Sequence, residues 1–260
     1  MLLEGKIAIV SGIGPGMGRD ISLALATEGA DLVLAARTKE RLDEVAEEVR
    51  ALDRRVLCVP TDITDDAQCT ALVEAAVAEY GRLDTLVNNA FAQPPFETVE
   101  ATSMETFRDY FDVNFFGHVA LTKAAIPYLK EAGTASIVFI NSMSAWRMRP
   151  FFGIYTSAKL ALHGLAKILA VELGEHGIRV NSVHPGYIWG ESVKWFFENQ
   201  AEERGLSFDE VYEETASQTP LHHLPGSDEI AQSVVFLASD KMSSSITGVS
   251  IDVNAGQYMR

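Results

Sequence analysis

A tyrosine and a lysine four residues apart, in Tyr155-Thr156-Ser157-Ala158-Lys159, carry the chemistry most directly. On a helix, residues i and i+4 share a face one turn apart. A phenol is a weak acid with an ordinary pKa near ~10, and a nearby ammonium favours its anion. Moving it to about 7 takes roughly 3 units, or about 4 kcal/mol. One close cation plus a second positive charge, such as an oxidised nicotinamide ring, supplies that. A tyrosine tuned this way passes a proton to or from a carbonyl or alcohol oxygen. Ser142 ends an apolar run thirteen residues earlier, where its hydroxyl can hydrogen-bond the same oxygen. Ser144 competes for that role. Asn114, in a long helical stretch, offers a side-chain amide for a water bridge to Lys159.

A second constellation points to the partner of that chemistry. Ser11-Gly12-Ile13-Gly14-Pro15-Gly16-Met17-Gly18 follows a strand-like run and opens a helical one. Glycines there let the backbone turn tightly and approach a pyrophosphate, and the helix N-terminus adds amide donors and its positive dipole end. The strand–turn–helix context makes the motif specific for a dinucleotide. The second strand ends Ala35-Ala36-Arg37-Thr38. An acid at that point would bond the ribose hydroxyls and repel a 2′-phosphate. None is there; Asp31 lies at the other end. Arg37 and Thr38 suit a 2′-phosphate, so NADP(H) is favoured over NAD(H). The other reading has Arg37 stacking on adenine or facing solvent, which leaves NAD(H) acceptable. Asp62 can accept from the adenine amino group, and Asn88 and Asn89 can fix the loop past the ribose. Each also serves as an ordinary turn residue.

These residues need a scaffold. Short apolar runs at Lys6–Ser11, Asp31–Ala36, Val56–Pro60, Thr85–Val87, Ser136–Asn141, Arg179–His184 and Val249–Val253 read as strands. Helical patterns fall between them, near 17–28, 38–51, 65–80, 100–131, 154–174 and 228–238. That alternation predicts a single α/β domain over 1–260: a doubly wound, Rossmann-type, seven-stranded parallel sheet with helices on both faces.

One stretch breaks the rhythm. From His184 to Ile230 no strand pattern occurs, and Trp189, Trp195, Phe196, Phe197, Phe208 and Tyr212 stand among acids. We read two short helices there. Residues 186–227 are expected to form a substrate lid at the carboxyl ends of the strands. A subunit-contact flap is the other reading.

Bulk properties narrow the class. The 260 residues carry a net charge of −15, which argues against nucleic acid or an anionic membrane as partner. Cys58 and Cys69 suggest neither a disulfide framework nor a metal cluster. No leader and no membrane-length apolar run are apparent, so a cytoplasmic protein is expected.

At this point the chain resembles the short-chain dehydrogenase/reductase family, in its members of about 250 residues. The family's Thr-Gly-x3-Gly-x-Gly stands as Ser11-Gly12 through Gly16-Met17-Gly18, and its Asn-Asn-Ala-Gly as Asn88-Asn89-Ala90-Phe91. Its Tyr-x3-Lys is Tyr155 and Lys159, preceded by Ser142 and Asn114, and its Pro-Gly element is Pro185-Gly186-Tyr187-Ile188. The resemblance implies Tyr155 as general acid/base and Ser142 as donor to the substrate oxygen. It implies Lys159 as ribose ligand and pKa modulator, and Asn114 in a proton relay. It puts Asp62 and Ala90 near the adenosine and Ile188 near the nicotinamide carboxamide, with Ile63, Asn89, Pro185 and Gly186 as further cofactor-binding candidates. It also implies a homotetramer or dimer, built partly on the helices carrying Asn114 and Tyr155. Three departures stand out. Phe91 replaces a glycine, which reshapes the loop if a positive φ is needed there. Gly190 replaces a threonine that contacts the carboxamide, so that bond is either lost or supplied by another group, with Ser192 as a candidate. Ser11 replaces the threonine and keeps its hydroxyl.

The expected reaction is hydride transfer between nicotinamide and a carbonyl or secondary alcohol. Phe91, Phe96, Trp146, Phe151, Phe152, Tyr187, Trp189 and Trp195 are candidate walls, and so many aromatics suggest an apolar or ring-containing substrate. Arg147 and Arg149 read either as a solvated pair or as a site for a carboxylate or a phosphate-bearing carrier. The second option makes a carrier-linked 3-oxoacyl reductase the alternative activity. A non-catalytic dinucleotide sensor would have discarded Asn114, Ser142, Tyr155 and Lys159. His222 and His223 read as loop residues, and no metal is expected.

Overall fold

The computed structural model describes residues 1–259, with the Ser192 side chain outside that description. Seven strands form one parallel sheet: β1 (Ile7–Ser11), β2 (Asp31–Ala36), β3 (Val56–Pro60), β4 (Thr85–Asn88), β5 (Ala135–Ile140), β6 (Ile178–Pro185) and β7 (Ser250–Val253). Their order across the sheet is β3-β2-β1-β4-β5-β6-β7. The chain therefore winds outward through β2 and β3, returns to lay β4 beside β1, and winds out the other way. At such a reversal the loops leaving two neighbouring strands diverge and open a crevice at the carboxyl edge.

The strand residues are apolar on both sides because both faces are covered. Ala8, Val10, Leu32, Leu34, Val138 and Ile140 join one core, against helices α1 (Met17–Thr27), α2 (Lys39–Arg50) and α9 (Ser227–Ala238). The alternating residues Ile9, Val33, Ala35, Ile137 and Phe139 join the other, against α3 (Asp66–Tyr80), α5 (Gly117–Glu131) and α6 (Gly153–Leu173). Helix α6 buries Ile154, Ala158, Leu162, Ala166, Leu169 and Leu173, an i, i+4 stripe that fixes its rotation. Lys159 is carried into the interior beside that stripe.

The single helix read over 100–131 is corrected. Helix α4 (Met104–Phe111) gives way to a π turn at Asp112–Phe116 before α5 begins. A one-residue widening leaves the apolar spacing nearly intact, so periodicity does not register it. Asn114 lies inside the widened turn and is fully buried.

The stretch after β6 does fold as two helices, α7 (Glu191–Arg204) and α8 (Phe208–Ala216). A box in which Ser207 and Glu210 cap each other starts α8. Phe197, Ala201, Val211 and Leu224 form a small core there, joined by Tyr187, Trp189, Phe208 and Tyr212. No described helix is long and apolar enough to cross a membrane.

Candidate active site

The glycine turn divides into two kinds of position. Gly12 takes φ +81°, and a Cβ there would fall on the Ala90 Cα and within 2.9 Å of the Asn89 carbonyl carbon. Gly18 is closed off by the Gly12 carbonyl and by Asn89 Nδ2. These two glycines serve the protein's own packing. Above Gly14 and Gly16 nothing lies within 4 Å of an added Cβ. Gly16 precedes α1 and offers its first amides no side-chain cap. An open glycine edge at an uncapped helix N-terminus fits a pyrophosphate, so the residues present suit a dinucleotide.

Asn89 holds the turn in place. Its Nδ2 donates to the Gly12 carbonyl at 2.8 Å, and its backbone N–H donates to Ser11 Oγ at 3.2 Å. Asn88 points inward, donating to Thr122 Oγ1 at 3.0 Å with its Oδ1 3.3 Å from His118 Nδ1. Burial, with the Lys159 charge second, pushes the His118 imidazole down to about 3, so it stays neutral. Sequence reasoning passed over His118, because a lone histidine in an apolar helix carries no pattern.

At the adenosine end, Arg37 and Thr38 are exposed at the tip of β2, and Thr38 makes no side-chain cap to α2. Asp62 accepts from the Thr64 N–H and hydroxyl at 3.0 and 2.8 Å, which holds its carboxyl below the usual range; the Arg37 charge adds to this. Ile63 is buried and packs against Gly117. Gly186 donates to the Val253 carbonyl at 3.1 Å, and a Cβ there would lie 2.7 Å from Asn254 Cβ. Ile188 packs on the first core. The reading of Ser192 as a carboxamide partner lies outside the described residues.

Ser142, Tyr155 and Lys159 converge at the carboxyl ends of β5 and the first turns of α6. The Ser142 hydroxyl bonds the Tyr155 phenol and accepts from the Ser144 N–H at 3.1 Å. Lys159 Nζ donates to the Ile140 carbonyl at 3.0 Å and lies 6.0 Å from the Tyr155 ring centre.

The cofactor-free chain adds detail to two of these roles. The Tyr155 phenol sits above its ordinary value, because burial outweighs the opposing Ser142 bond. In the chain alone Lys159 adds no lowering, its ammonium donating to the Ile140 carbonyl. The Asn114 amide is spent on backbone: Oδ1 accepts from the Ala92 N–H at 3.2 Å, and Nδ2 donates to the Tyr110 carbonyl at 3.0 Å. The other Nδ2 hydrogen meets the Ala92 carbonyl at 3.4 Å, so the amide has no donor to spare, and the second Oδ1 lone pair is what remains for a water.

Burial pushes Lys159 itself down to about 8. Between that value and its ordinary one, the unfolded chain binds a proton that the folded chain does not. Stability attributable to Lys159 therefore rises with pH across that window. Relative to a Lys159→Met variant, the cofactor-free protein should gain roughly 3 kcal/mol from pH 8 to pH 10.5. Parallel denaturant titrations would measure it, and a flat difference would contradict a desolvated ammonium.

The aromatic residues sort themselves by position. Phe91 stands edge-on to Tyr155 at 6.0 Å with Lys159 Nζ 5.7 Å from its ring centre, and it takes no positive φ. Phe152 lies 6.0 Å from Tyr155 and 5.2 Å from Phe96. Tyr187 packs edge-on to Phe197 at 6.5 Å. The three tryptophans take other positions. Trp146 donates its indole N–H to His184 at 3.2 Å and abuts the His163 ring. Trp189 fills the small core of α7 and α8, 4.7 Å from Tyr212. Trp195 is 66% exposed on α7. Exposure in one case and packing partners in the others distinguish them from Phe91 and Phe152, which touch the Tyr155 ring. Among the described residues no cluster of histidine, cysteine or acidic side chains could hold a metal, and His223 pairs with Glu229 at 3.2 Å.

Comparison with known proteins agrees with this geometry. A family model described as Enoyl-(Acyl carrier protein) reductase matches residues 12–257. An uncharacterized oxidoreductase of Methylorubrum extorquens is 37% identical, with 98% of each chain covered. The carveol dehydrogenase of Mycobacterium avium, solved in complex with NAD, superposes with a TM-score of 0.89 at 30% identity over 98% of each chain. The L-sorbose reductase of Gluconobacter frateurii, solved with NADPH and L-sorbose, gives 0.92 at 28% identity over 99% of this chain and 98% of that one. The chain belongs to the short-chain dehydrogenase/reductase family. It is an oxidoreductase acting between CH–OH and C=O groups with a nicotinamide dinucleotide.

Proposed function

We propose that Tyr155 is the general acid/base of this reaction, Ser142 the donor to the reacting oxygen, and Lys159 the ribose ligand that, with the dinucleotide bound, biases the tyrosine toward its anion. The observation that carries this reading is the convergence of the Ser142 hydroxyl, the Tyr155 phenol and a buried ammonium at the crevice edge. In reduction Ser142 holds the carbonyl oxygen and Tyr155 gives it a proton. In oxidation Tyr155 takes the proton back. The nicotinamide, when bound, supplies or accepts the hydride. Gly14, Gly16 and the first amides of α1 would hold the pyrophosphate, and Asp62 and Ala90 would flank the adenosine. Asn114 orders the Ala92 loop beside the site, and we take it as the link from Lys159 to water in the proton relay.

For the cofactor we favour NADP(H). Arg37 is exposed with no ion-pair partner among the described residues, and no carboxylate occupies the end of β2. Titration of the purified protein with NADPH and NADH tests this. Arg37→Glu should weaken NADPH binding about 10- to 100-fold, the worth of a charge-assisted contact. The NADH affinity should move by less than about threefold, since that ligand lacks the phosphate. Equal weakening of both would assign Arg37 to adenine stacking.

Phe91, Phe96, Phe152 and Tyr187 support an apolar or ring-containing substrate, covered by 186–227 as a lid. Helix α6 leaves Leu160, Ile168 and Val171 on one exposed face, the last at 77%, which supports a homotetramer or dimer formed through it. A cytoplasmic location completes the reading.

A further inference from the structure

Arg147 and Arg149 stand side by side in the segment that joins Ser142 to α6. The chain carries a net charge of −15, yet neither arginine meets a carboxylate among the described residues. Arg147 is half-buried, and its Nη1 is fully buried without a hydrogen-bond partner. Burial and the neighbouring Arg149 charge both pull its pKa down. Arg149 is held fast. Its Nη1 donates to the Tyr187 hydroxyl at 2.8 Å, and its guanidinium lies 5.4 Å from the centre of that ring. Tyr187 follows β6, the strand paired with β5, so the two loops meet at the carboxyl edge where Ser142 and Tyr155 lie. Phe152 links the arginines to the reacting end, donating to the Arg149 carbonyl at 3.4 Å while its ring contacts Tyr155.

Two like charges at one wall, one of them with a buried unpaired donor, oppose folding unless something compensates them. A planar fork presenting paired N–H donors matches a carboxylate. We propose that the substrate is an oxo or hydroxy acid whose carboxylate binds Arg147 and Arg149. Its apolar body lies along Phe152 and Phe96, and its reacting oxygen reaches Ser142 and Tyr155. This deepens the oxidoreductase reading above and rests on it for the reacting end. The anion site itself does not.

Two measurements separate these parts. In the first, benzoate and phenyl phosphate are titrated calorimetrically into the cofactor-free protein. Benzoate should bind, and Arg149→Gln and Arg147→Gln should each weaken it about 10- to 100-fold, as expected for a hydrogen bond to a charged group. Tyr187→Phe, which frees Arg149 without removing charge, should weaken it less and serves if Arg147→Gln does not fold. In the second, kcat/KM is compared for levulinate and para-acetylbenzoate against their methyl esters. The acids should be preferred at least tenfold, and the arginine variants should collapse that ratio. Benzoate binding that is absent, or equal in wild type and variants, overturns the anion site. Arginine-dependent binding of phenyl phosphate alone overturns the carboxylate assignment in favour of a phosphate-bearing carrier. Arginine-dependent benzoate binding with no turnover of any ketone sustains the site and sinks the reading of Tyr155.

Discussion

Tyr155→Phe should lower kcat by ~10²–10⁴ while dinucleotide affinity changes by less than about threefold. The substitution removes one oxygen and keeps the ring, so the edge contacts with Phe91 and Phe152 persist. Ser142 still meets the substrate oxygen, but nothing within reach gives or takes its proton. Lys159 cannot substitute, because its ammonium is committed to the Ile140 carbonyl. The pH profile gives an independent sign. Burial holds the phenol above its ordinary value, so the chain alone favours the protonated form that reduction needs. Alcohol oxidation needs the anion and should rise with pH toward a plateau, and this limb should vanish in the variant. Single-turnover kinetics at several pH values would measure both. Retention of more than about a tenth of wild-type turnover would remove Tyr155 from the acid/base role, given what such catalysis is typically worth.

The second large effect is on folding. Gly12→Ala should destabilise the protein by about 3–5 kcal/mol, combining left-handed strain with overpacking. The residue takes φ +81°, and its Cβ would collide with the Ala90 backbone, which lies across the junction of β1 and β4. That loop cannot retreat freely, since Asn89 is bonded to both Gly12 and Ser11. Gly14→Ala provides the contrast. It meets no protein atom within 4 Å and has no positive φ, so its stability should stay within about 1 kcal/mol of wild type. Its dinucleotide affinity should fall instead, because the methyl group enters the space that a pyrophosphate needs. Denaturant titration and cofactor binding on the two variants would separate them. Equal stability of both would mean that the turn relaxes more than its hydrogen bonds suggest.

Different parts of the molecule were legible to different degrees, and each difference has a local cause. All seven strands were readable because a sheet covered on both faces demands uninterrupted apolar runs, and those runs survive in the one-dimensional record. The glycine motif was readable as a unit, but its division of labour was not. Gly12 and Gly18 serve the fold while Gly14 and Gly16 leave open space, and that depends on where Asn89 and Ala90 return. The π turn escaped because it inserts one residue without disturbing the apolar stripe. The places of the tryptophans were not readable, because a large aromatic suits a pocket wall, a core or a surface equally well.

Sequence by itself determined the doubly wound class, the dinucleotide turn and the Tyr155–Lys159 pair, because each rests on spacing within one element or on the alternation of elements. Tertiary structure alone decided the electrostatics of the site. Whether Lys159 reaches Tyr155 or Ile140, what remains of the Asn114 amide, and that half-buried Arg147 keeps an unpaired Nη1 all depend on distance and desolvation in the folded chain. Charge interactions follow separation and burial in space, and neither quantity is written in residue order.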